Sequence, residues 1–429
     1  MKTSYKLLAA ASLAALALFT GSLSASAQYT RAADKDAIIA LIKENPGRAN
    51  GNLCPYIAPD DKYTPAPRGY KAFYISHVGR HGSRFHQSTG SFSIIDTLKA
   101  YDKAGLLTEA GRWMIGELQQ LMDMTMVDPG ALTALGRAEH RGICRRMVAG
   151  YGRVFRKRHT VNTYSTSTQR VLDSRSSFVE ELASLVPGLE INNCDKEEKS
   201  GMEVTGFKMT TEEKNARNSI DARTPARALE AGYTVSHFAG VVLKDPSSLS
   251  FERTKSLLGK TFSLGRNFAN VDTKGVPDFH RYYTPEEMYY ASIGSSPDWY
   301  LKHGDLSNPA TGAERIGAGI AKMIIDDAEE AMEPGSDIAA TLRFSHDSYL
   351  LPVMTYFGLT SEKEYVDFEN ICVACNVQII FLRNRKGDVI VKVMKNEHEC
   401  LIDGIEPVTG PYYKWSDLKE YLLSRSDLI

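Results

Sequence analysis

The sequence predicts an α/β fold, a three-layer sandwich around a mostly parallel central sheet, with a mainly helical cap lobe inserted into it. Three observations carry this reading. Short β-prone runs alternate with long helical patterns, which is how parallel sheets are built. The first run, Lys71 to Val78, is apolar or β-prone at nearly every position, as in a strand buried on both faces. A polar, weakly patterned stretch of more than a hundred residues, about 190–304, interrupts the alternation.

The elements follow in chain order. Lys2 and Lys6 flank the start of a short apolar run, Leu7 to Leu18, and Ala25-Ser26-Ala27 supplies small residues before Gln28. This is the pattern of an export signal over residues 1–27, cleaved before Gln28, which places the mature chain in the periplasm or outside the cell. The run is short for a bilayer span, no cysteine follows it, and no second run long enough to span is present, so no stable membrane insertion is expected. Residues 28–69 form an N-terminal arm whose 46–69 portion, rich in Pro, Gly and Asp, reads as irregular chain over the surface. The strand from Lys71 ends at Gly79. A second β-rich run, Thr160 to Thr166, leads into a helix over 169–185, where Val171, Leu172, Phe178, Val179 and Leu182 fall at helical spacing. A third, Ala339 to Ser345, precedes a helix over 349–359. Helical patterns occupy Leu132–Phe155 and the alanine-rich Gly312–Met332, and a late hairpin joins Asn376–Arg383 to Val389–Met394. The α/β core is therefore assigned to 70–189 and 305–429, and the cap insertion to 190–304.

Composition narrows the function. In 429 residues, 43% hydrophobic, 51 Lys+Arg stand against 52 Asp+Glu, which excludes a generic nucleic-acid binder and leaves any anionic ligand to a local basic site. The six cysteines, Cys54, Cys144, Cys194, Cys372, Cys375 and Cys400, are read as disulfides or buried thiols. Cys372 and Cys375 with His398 and Cys400 also suggest zinc, but the His-x-Cys spacing is cramped, and no metal is expected.

Two segments carry dense polar chemistry directly after buried strands. In Arg80-His81-Gly82-Ser83-Arg84, Gly79 and Gly82 permit backbone shapes that let two guanidiniums and an imidazole converge. Arginine presents a rigid fork of donors suited to tetrahedral oxyanions. His346-Asp347 follows the strand ending in Leu342-Arg343-Phe344-Ser345. Both sit at strand C-termini, where open α/β sheets place their ligand crevices. Arg170, after Ser165-Thr166-Ser167-Thr168-Gln169, marks a third strand end. Singly, each has an ordinary reading: a strand-end arginine in solvent, or a His-Asp pair capping a helix. His77 and His81 are four apart on extended chain containing Gly79, so they cannot form a helix-borne zinc pair.

Together these residues resemble the histidine acid phosphatase family, the large-cap branch of the histidine phosphatases. The family's Arg-His-Gly-x-Arg motif stands as residues 80–84, its His-Asp motif as His346-Asp347, and its intermediate arginine as Arg170. Leu132-Thr133-Ala134-Leu135-Gly136 resembles its Leu-Thr-x-x-Gly helix start, and Val393-Met394-Lys395-Asn396-Glu397 its late strand. The resemblance implies that His81 attacks phosphorus and forms a phosphohistidine, and that Arg80, Arg84, Arg170 and His346 hold the phosphate oxygens. It implies that Asp347, protonated, donates to the leaving oxygen, which predicts an acidic pH optimum. It implies a small-molecule phosphomonoester substrate and no cofactor, the arginines supplying the positive charge. Two departures bear on the substrate. His86 replaces a proline common two residues after the motif's second arginine, and His346-Asp347-Ser348 replaces the His-Ala-Glu frequent in the inositol-polyphosphate branch. The whole-chain pattern nevertheless resembles bacterial multiple inositol polyphosphate phosphatases and phytases, so an inositol polyphosphate is the favoured substrate. The alternatives are a broad-specificity acid phosphatase on sugar or nucleotide phosphates, a phosphate-transferring mutase, and a non-catalytic phosphate-binding protein. The last needs neither His81 nor Asp347. Finally, Arg137, Arg141 and Arg145 share a helical face in the basic stretch 137–158, which faces either the pocket or solvent. Sequence does not fix the oligomeric state.

Overall fold

The computed structural model describes residues 35–60, 62–195, 209–221, 230, 232–271, 276–293, 295–359, 371–402 and 404–426. The apolar run and its expected cleavage point lie outside these. Among the described residues, eight strands form one sheet: β1 (Lys71–Arg80), β2 (Thr160–Ser165), β3 (Glu190–Asn193), β4 (Ile338–Ser345), β5 (Asn376–Arg383), β6 (Val389–Lys395), β7 (His398–Glu399) and β8 (Tyr412–Lys414). Their order is β3-β2-β4-β1-β5-β6-β7, with β8 also on β6. The first four in this order are parallel. From β5 onwards the pairing is antiparallel, because the late hairpin turns back along β1.

The alternation of side chains along a strand assigns the two faces. On β1, Tyr74 and Val78 join β5 residues Val377, Ile379 and Phe381 under the helices Ala313–Met332, Asp347–Tyr356 and Trp415–Ser424. Ile75 and the β5 residues Ile380 and Leu382 point the other way, under the helices Ala134–Lys157 and Gln169–Leu185. Both faces are covered, which is why β1 and β4 read as continuous apolar runs. Each buried aliphatic side chain contributes about 1.5–3 kcal/mol. Cys54, Cys372 and Cys375 lie in the first of these clusters and Cys144 in the second, packed as small apolar groups. Among the described residues no three of His, Cys, Asp or Glu are arranged to hold a metal ion. No helix there is long and apolar enough to cross a membrane.

A third hydrophobic cluster makes the helical lobe, and its membership corrects the boundaries read from sequence. Besides Phe238, Leu258, Phe262, Tyr282 and Tyr289 of the 190–304 stretch, it takes in Ile95, Leu98, Met114 and Leu118. These lie on the helices Ile94–Lys103 and Glu109–Val127, within the segment assigned to the core. Conversely Glu190–Asn193, assigned to the insertion, pairs with β2 as a sheet edge. Its four residues, three of them polar and none buried, gave no strand pattern. Nor is the arm confined to the surface. Pro46–Leu53 forms a short 3-10 segment in which Ala49, Asn50, Gly51 and Leu53 are buried. Strand β1 runs one residue past Gly79, and the helix after β4 starts at Asp347 rather than 349, because His346 is its N-cap.

Two glycines decide how tightly the first motif is held. A Cβ on Gly82 would stand 2.6 Å from the Gly136 carbonyl oxygen, and one on Gly136 would stand 2.3 Å from the Ser83 carbonyl oxygen. The 80–84 loop thus lies directly on the first turn of the 134–157 helix. Thr133 caps that helix, its Oγ1 accepting from Gly136 N–H at 3.2 Å. Gly136→Ala, facing backbone that cannot give way, should cost about 1–3 kcal/mol of stability by urea unfolding. Gly116→Ala, on an exposed helical face with open space around it, should gain about 0.5–1 kcal/mol. Equal effects at the two positions would refute the close-approach account.

Candidate active site

Strands β1 and β4 are neighbours whose pairing runs to Arg80 opposite Ser345, so the next residues, His81 and His346, leave adjacent strand ends in register. That register brings together motifs more than 250 residues apart in sequence. The His81 and His346 rings lie 5.5 Å apart at 70°. The backbone of His81 is clamped on both sides: its N–H donates to Ser345 O at 3.0 Å, and its carbonyl accepts from Ala374 N–H at 2.9 Å. Ala374 adopts a φ of 54°, left-handed backbone at a residue with a side chain, and that strain costs about 1 kcal/mol.

His81 is buried, and its Nδ1 lies 2.9 Å from the Gly82 carbonyl. A carbonyl can only accept, so Nδ1 carries the proton and Nε2 keeps its lone pair. Burial pushes this imidazole well below its ordinary pKa, and the charges of Arg80 and Arg170, then His346, push it further. His346 is likewise lowered to about 4, by burial first and then by Arg170. Its Nε2 lies 3.2 Å from Thr166 Oγ1 and 3.3 Å from Thr168 Oγ1, beyond the end of β2.

Arg80 is the most constrained of the cations. One of its terminal nitrogens donates to Asn52 O and Ile371 O, both at 2.6 Å, and the other lies 3.0 Å from Asp347 Oδ2. Asp347 Oδ2 also accepts from Asn52 Nδ2 at 3.1 Å, and Oδ1 accepts from Ser348 N–H at 3.0 Å. Burial works to raise the Asp347 pKa. The charge of Arg80, supported by His346, His303 and Arg84, outweighs it and holds the carboxyl below the usual carboxylate value. Its place in the first turn of a helix favours the anion too.

The remaining arginines stand around this centre. Arg84 is lowered to about 9, by burial first and then by Arg80 and Arg170. Burial likewise lowers Arg170, Asp347 partly opposing it. Both have a buried Nε without a hydrogen-bond partner among the described residues. So does Arg266, which sequence analysis did not single out. It follows the Phe251–Gly265 helix of the helical lobe, donates to Asn50 O at 3.2 Å, and adds to the positive field on Arg84 and His86. Burial alone lowers it to about 10, and no carboxylate acts on it among the described residues. A guanidinium so placed is unsatisfied until an anion arrives. Arg217 and His303 form a further wall, His303 acting on the Asp347 carboxyl.

The six residues picked out in sequence, Arg80, His81, Arg84, Arg170, His346 and Asp347, therefore converge. The basic stripe does not join them. Arg137 pairs with Asp173 at 2.8 Å and Arg145 with Glu181 at 2.7 Å, both acids of the neighbouring 169–185 helix, so these charges clamp two helices together. Glu139, the acid within that stretch, shapes the loop instead. Its carboxylate accepts from Ser83 N–H at 2.7 Å, Ser83 Oγ at 2.8 Å and Tyr56 N–H at 3.1 Å.

The model of the histidine phosphatase superfamily (branch 2) matches residues 75–376. The chain belongs to this superfamily. Membership makes it a phosphomonoester hydrolase, and it accounts for a basic, imidazole-bearing crevice at the strand ends. No curated protein matches the chain. Among solved structures, the multiple inositol polyphosphate phosphatase of Bifidobacterium longum, in complex with inositol hexasulfate, superposes with a TM-score of 0.70 at 16% identity, over 88% of this chain and 97% of that one. The phytase of D. castellii gives 0.61 at 17% identity, over 89% and 86%. The phytase of Klebsiella sp. ASR1 gives 0.53 at 12%, over 83% and 96%. At these identities the likeness is one of fold.

Beneath the histidine phosphatase site lie two more buried imidazoles. His77 and His140 lie 5.5 Å and 5.7 Å from the Phe344 ring, tilted and edge-on to it, and their nitrogens have no hydrogen-bond partner among the described residues. Burial pushes both down to about 3. The unfolded chain takes up these protons near pH 6.5 and the folded chain only near 3, so stability is lost as pH falls through that window. Each imidazole adds a slope of at most about 1.4 kcal/mol per pH unit. His140→Leu should flatten the fall in Tm between about pH 6 and pH 4. A slope equal to wild type would show that this histidine is not kept neutral.

Proposed function

We propose that the protein is an exported acid phosphatase that works through a phosphohistidine, with inositol polyphosphates as its substrates. The observation that carries the mechanism is the Nδ1–H of His81 donating to Gly82 O, which leaves Nε2 unprotonated amid guanidiniums. In the first step the Nε2 lone pair attacks phosphorus, the P–N bond forms, and the ester P–O bond breaks. The leaving alkoxide takes a proton from Asp347. In the second, water attacks the phosphohistidine, its proton passes to the Asp347 carboxylate, and the P–N bond breaks to release phosphate. Arg80, Arg84, Arg170 and His346 hold the equatorial oxygens, the positioning and charge stabilisation that phosphoryl transfer chiefly requires.

The Asp347 carboxyl is ionised in the free site, and catalysis needs its acid form. A bound phosphate resolves this. Its negative charge competes for Arg80, removes the main stabiliser of the carboxylate, and raises the Asp347 pKa towards the working pH. Acid conditions favour the proton on Asp347.

The polyphosphate reading is supported by positive charge in excess of one phosphoryl group. Arg266 stands on the helical-lobe side of Arg84 and has no carboxylate of its own among the described residues. A second phosphate on the same ligand would meet it.

Phosphate release from phytate, a sugar phosphate and an aryl phosphate tests the scheme. His81→Ala should abolish turnover of all three, at least about 1000-fold. Asp347→Asn should cost the alkyl esters about 100-fold or more and the aryl ester far less, because a good leaving group needs no proton. Equal losses on both would remove Asp347 from the acid role. Arg266→Ala should raise KM for phytate about tenfold while leaving the aryl ester unchanged, since it loses one charge-assisted contact of about 1.5–3 kcal/mol. An equal rise on both esters would place Arg266 at the reacting phosphate instead.

A further inference from the structure

The arm between residues 45 and 54 is stitched into the site from both sides. Asn50 O accepts from Arg266 at 3.2 Å, Asn50 Oδ1 lies 3.0 Å from His280 Nε2, and Leu53 O accepts from Asn270 Nδ2 at 2.8 Å, all on the helical lobe. Cys54 O accepts from Val373 N–H at 3.0 Å, on the approach to β5. Between these anchors Asn52 turns both its carbonyl and its side chain inwards. The carbonyl takes Arg80 at 2.6 Å, and the amide nitrogen donates to Asp347 Oδ2 at 3.1 Å.

The lone pairs of the Asp347 carboxyl can then be followed one by one. Ser348 N–H occupies Oδ1, while Arg80 and Asn52 share Oδ2. Three donors on one carboxyl favour its charged form. An anion entering the site competes for Arg80, because that guanidinium is charged. The Asn52 amide is neutral and is held by the arm's backbone, so it stays. What the anion frees is the Oδ2 lone pair facing Arg80 and the bound phosphoryl group. We propose that Asn52 is a positioning residue for Asp347. Its amide fixes the carboxyl plane so that the lone pair released by Arg80 bears the transferable proton, and it keeps that proton off until an anion has drawn Arg80 away. The inference rests on the reading of Asp347 as the acid. The other groups facing this carboxyl are Arg84, Arg170, His346, His303 and the Cys375 thiol, which burial pushes up to about 12. All of them remain when Asn52 is changed.

The test is the pH profile of kcat/KM on an alkyl phosphate for wild type, Asn52→Ala and Asn52→Asp. Removing a donor to the carboxylate raises the Asp347 pKa, and placing a second carboxylate beside it raises it more. The limb at which activity is lost with rising pH should therefore move upwards in the order Asn, Ala, Asp, by about half a pH unit for Ala. At the optimum, Asn52→Ala should slow the alkyl ester about tenfold and the aryl ester less, since only the former needs an aimed proton. In an Asp347→Asn background it should change the alkyl-to-aryl ratio no further. A limb unmoved in both variants, or the same loss with and without Asp347, would overturn the proposal and leave Asn52 a structural residue. If Asp347→Asn itself costs both esters equally, the acid assignment falls. If Asp347→Asn discriminates while the Asn52 variants leave the limb in place, this inference alone falls. Asn52→Asp is nearly isosteric and keeps the backbone contact to Arg80, so its limb reports on the carboxyl even where Asn52→Ala loosens the arm.

Discussion

The ion pair between Arg80 and Asp347 ties the architecture to the chemistry. Arg80 ends β1 and Asp347 opens the helix after the adjacent parallel strand β4, and the two lie 3.0 Å apart with side-chain exposures of 1% and 11%. A charge so deeply buried is costly unless it is matched, and loss of either partner leaves the other uncompensated. The other terminal nitrogen of Arg80 finds acceptors on chain that is otherwise remote: Asn52 on the arm and Ile371 before β5. Four separate stretches of sequence are thereby fixed to one guanidinium. The glycines serve the same convergence. Gly79 leaves room for the His77 ring, whose Nε2 would lie 2.6 Å from an added Cβ, and Gly82 lets the loop lie against the following helix.

Electrostatically the site is unbalanced. Arg80, Arg84 and Arg170 draw on one carboxylate, and Arg266 lies close by without one among the described residues. Burial raises the cost of this surplus, which shows in arginines displaced from their ordinary values and in two histidines held neutral. The same field that lowers the basicity of His81 is the one an entering phosphate discharges. Fold stability is thus given up at the place where binding energy is gained, as is common at functional sites.

Much of this was legible in the sequence, for reasons particular to each element. The doubly buried β1 and β4 announce themselves by nearly continuous apolar or β-prone runs, and the 169–185 helix by its periodicity, with bounds read correctly. Residues 80–84, 170 and 346–347 were readable because their polar groups sit at strand ends, where a solvated role is rare for so many at once. What stayed hidden has no local signature. Glu190–Asn193 is a short, mostly polar edge strand held by pairing with β2, with Ile191 alone packing against the core. The helices at 94–103 and 109–127 sit between core elements in sequence, yet their apolar faces belong to the other lobe. Asn52 and Arg266 are single polar residues in weakly patterned stretches. Their meaning comes only from what the folded chain sets beside them. The stripe at 137–145 shows the reverse case, a conspicuous pattern in which Arg137 and Arg145 pair with Asp173 and Glu181 of the next helix.

The arm has a mechanical consequence as well. Because residues 50–54 are bonded to Arg266, Asn270 and His280 on one side and to Arg80, Asp347 and Val373 on the other, they act as a strap across the cleft. The two lobes cannot hinge apart without breaking it. Opening of the cleft therefore costs these hydrogen bonds, each worth about 0.5–1.5 kcal/mol.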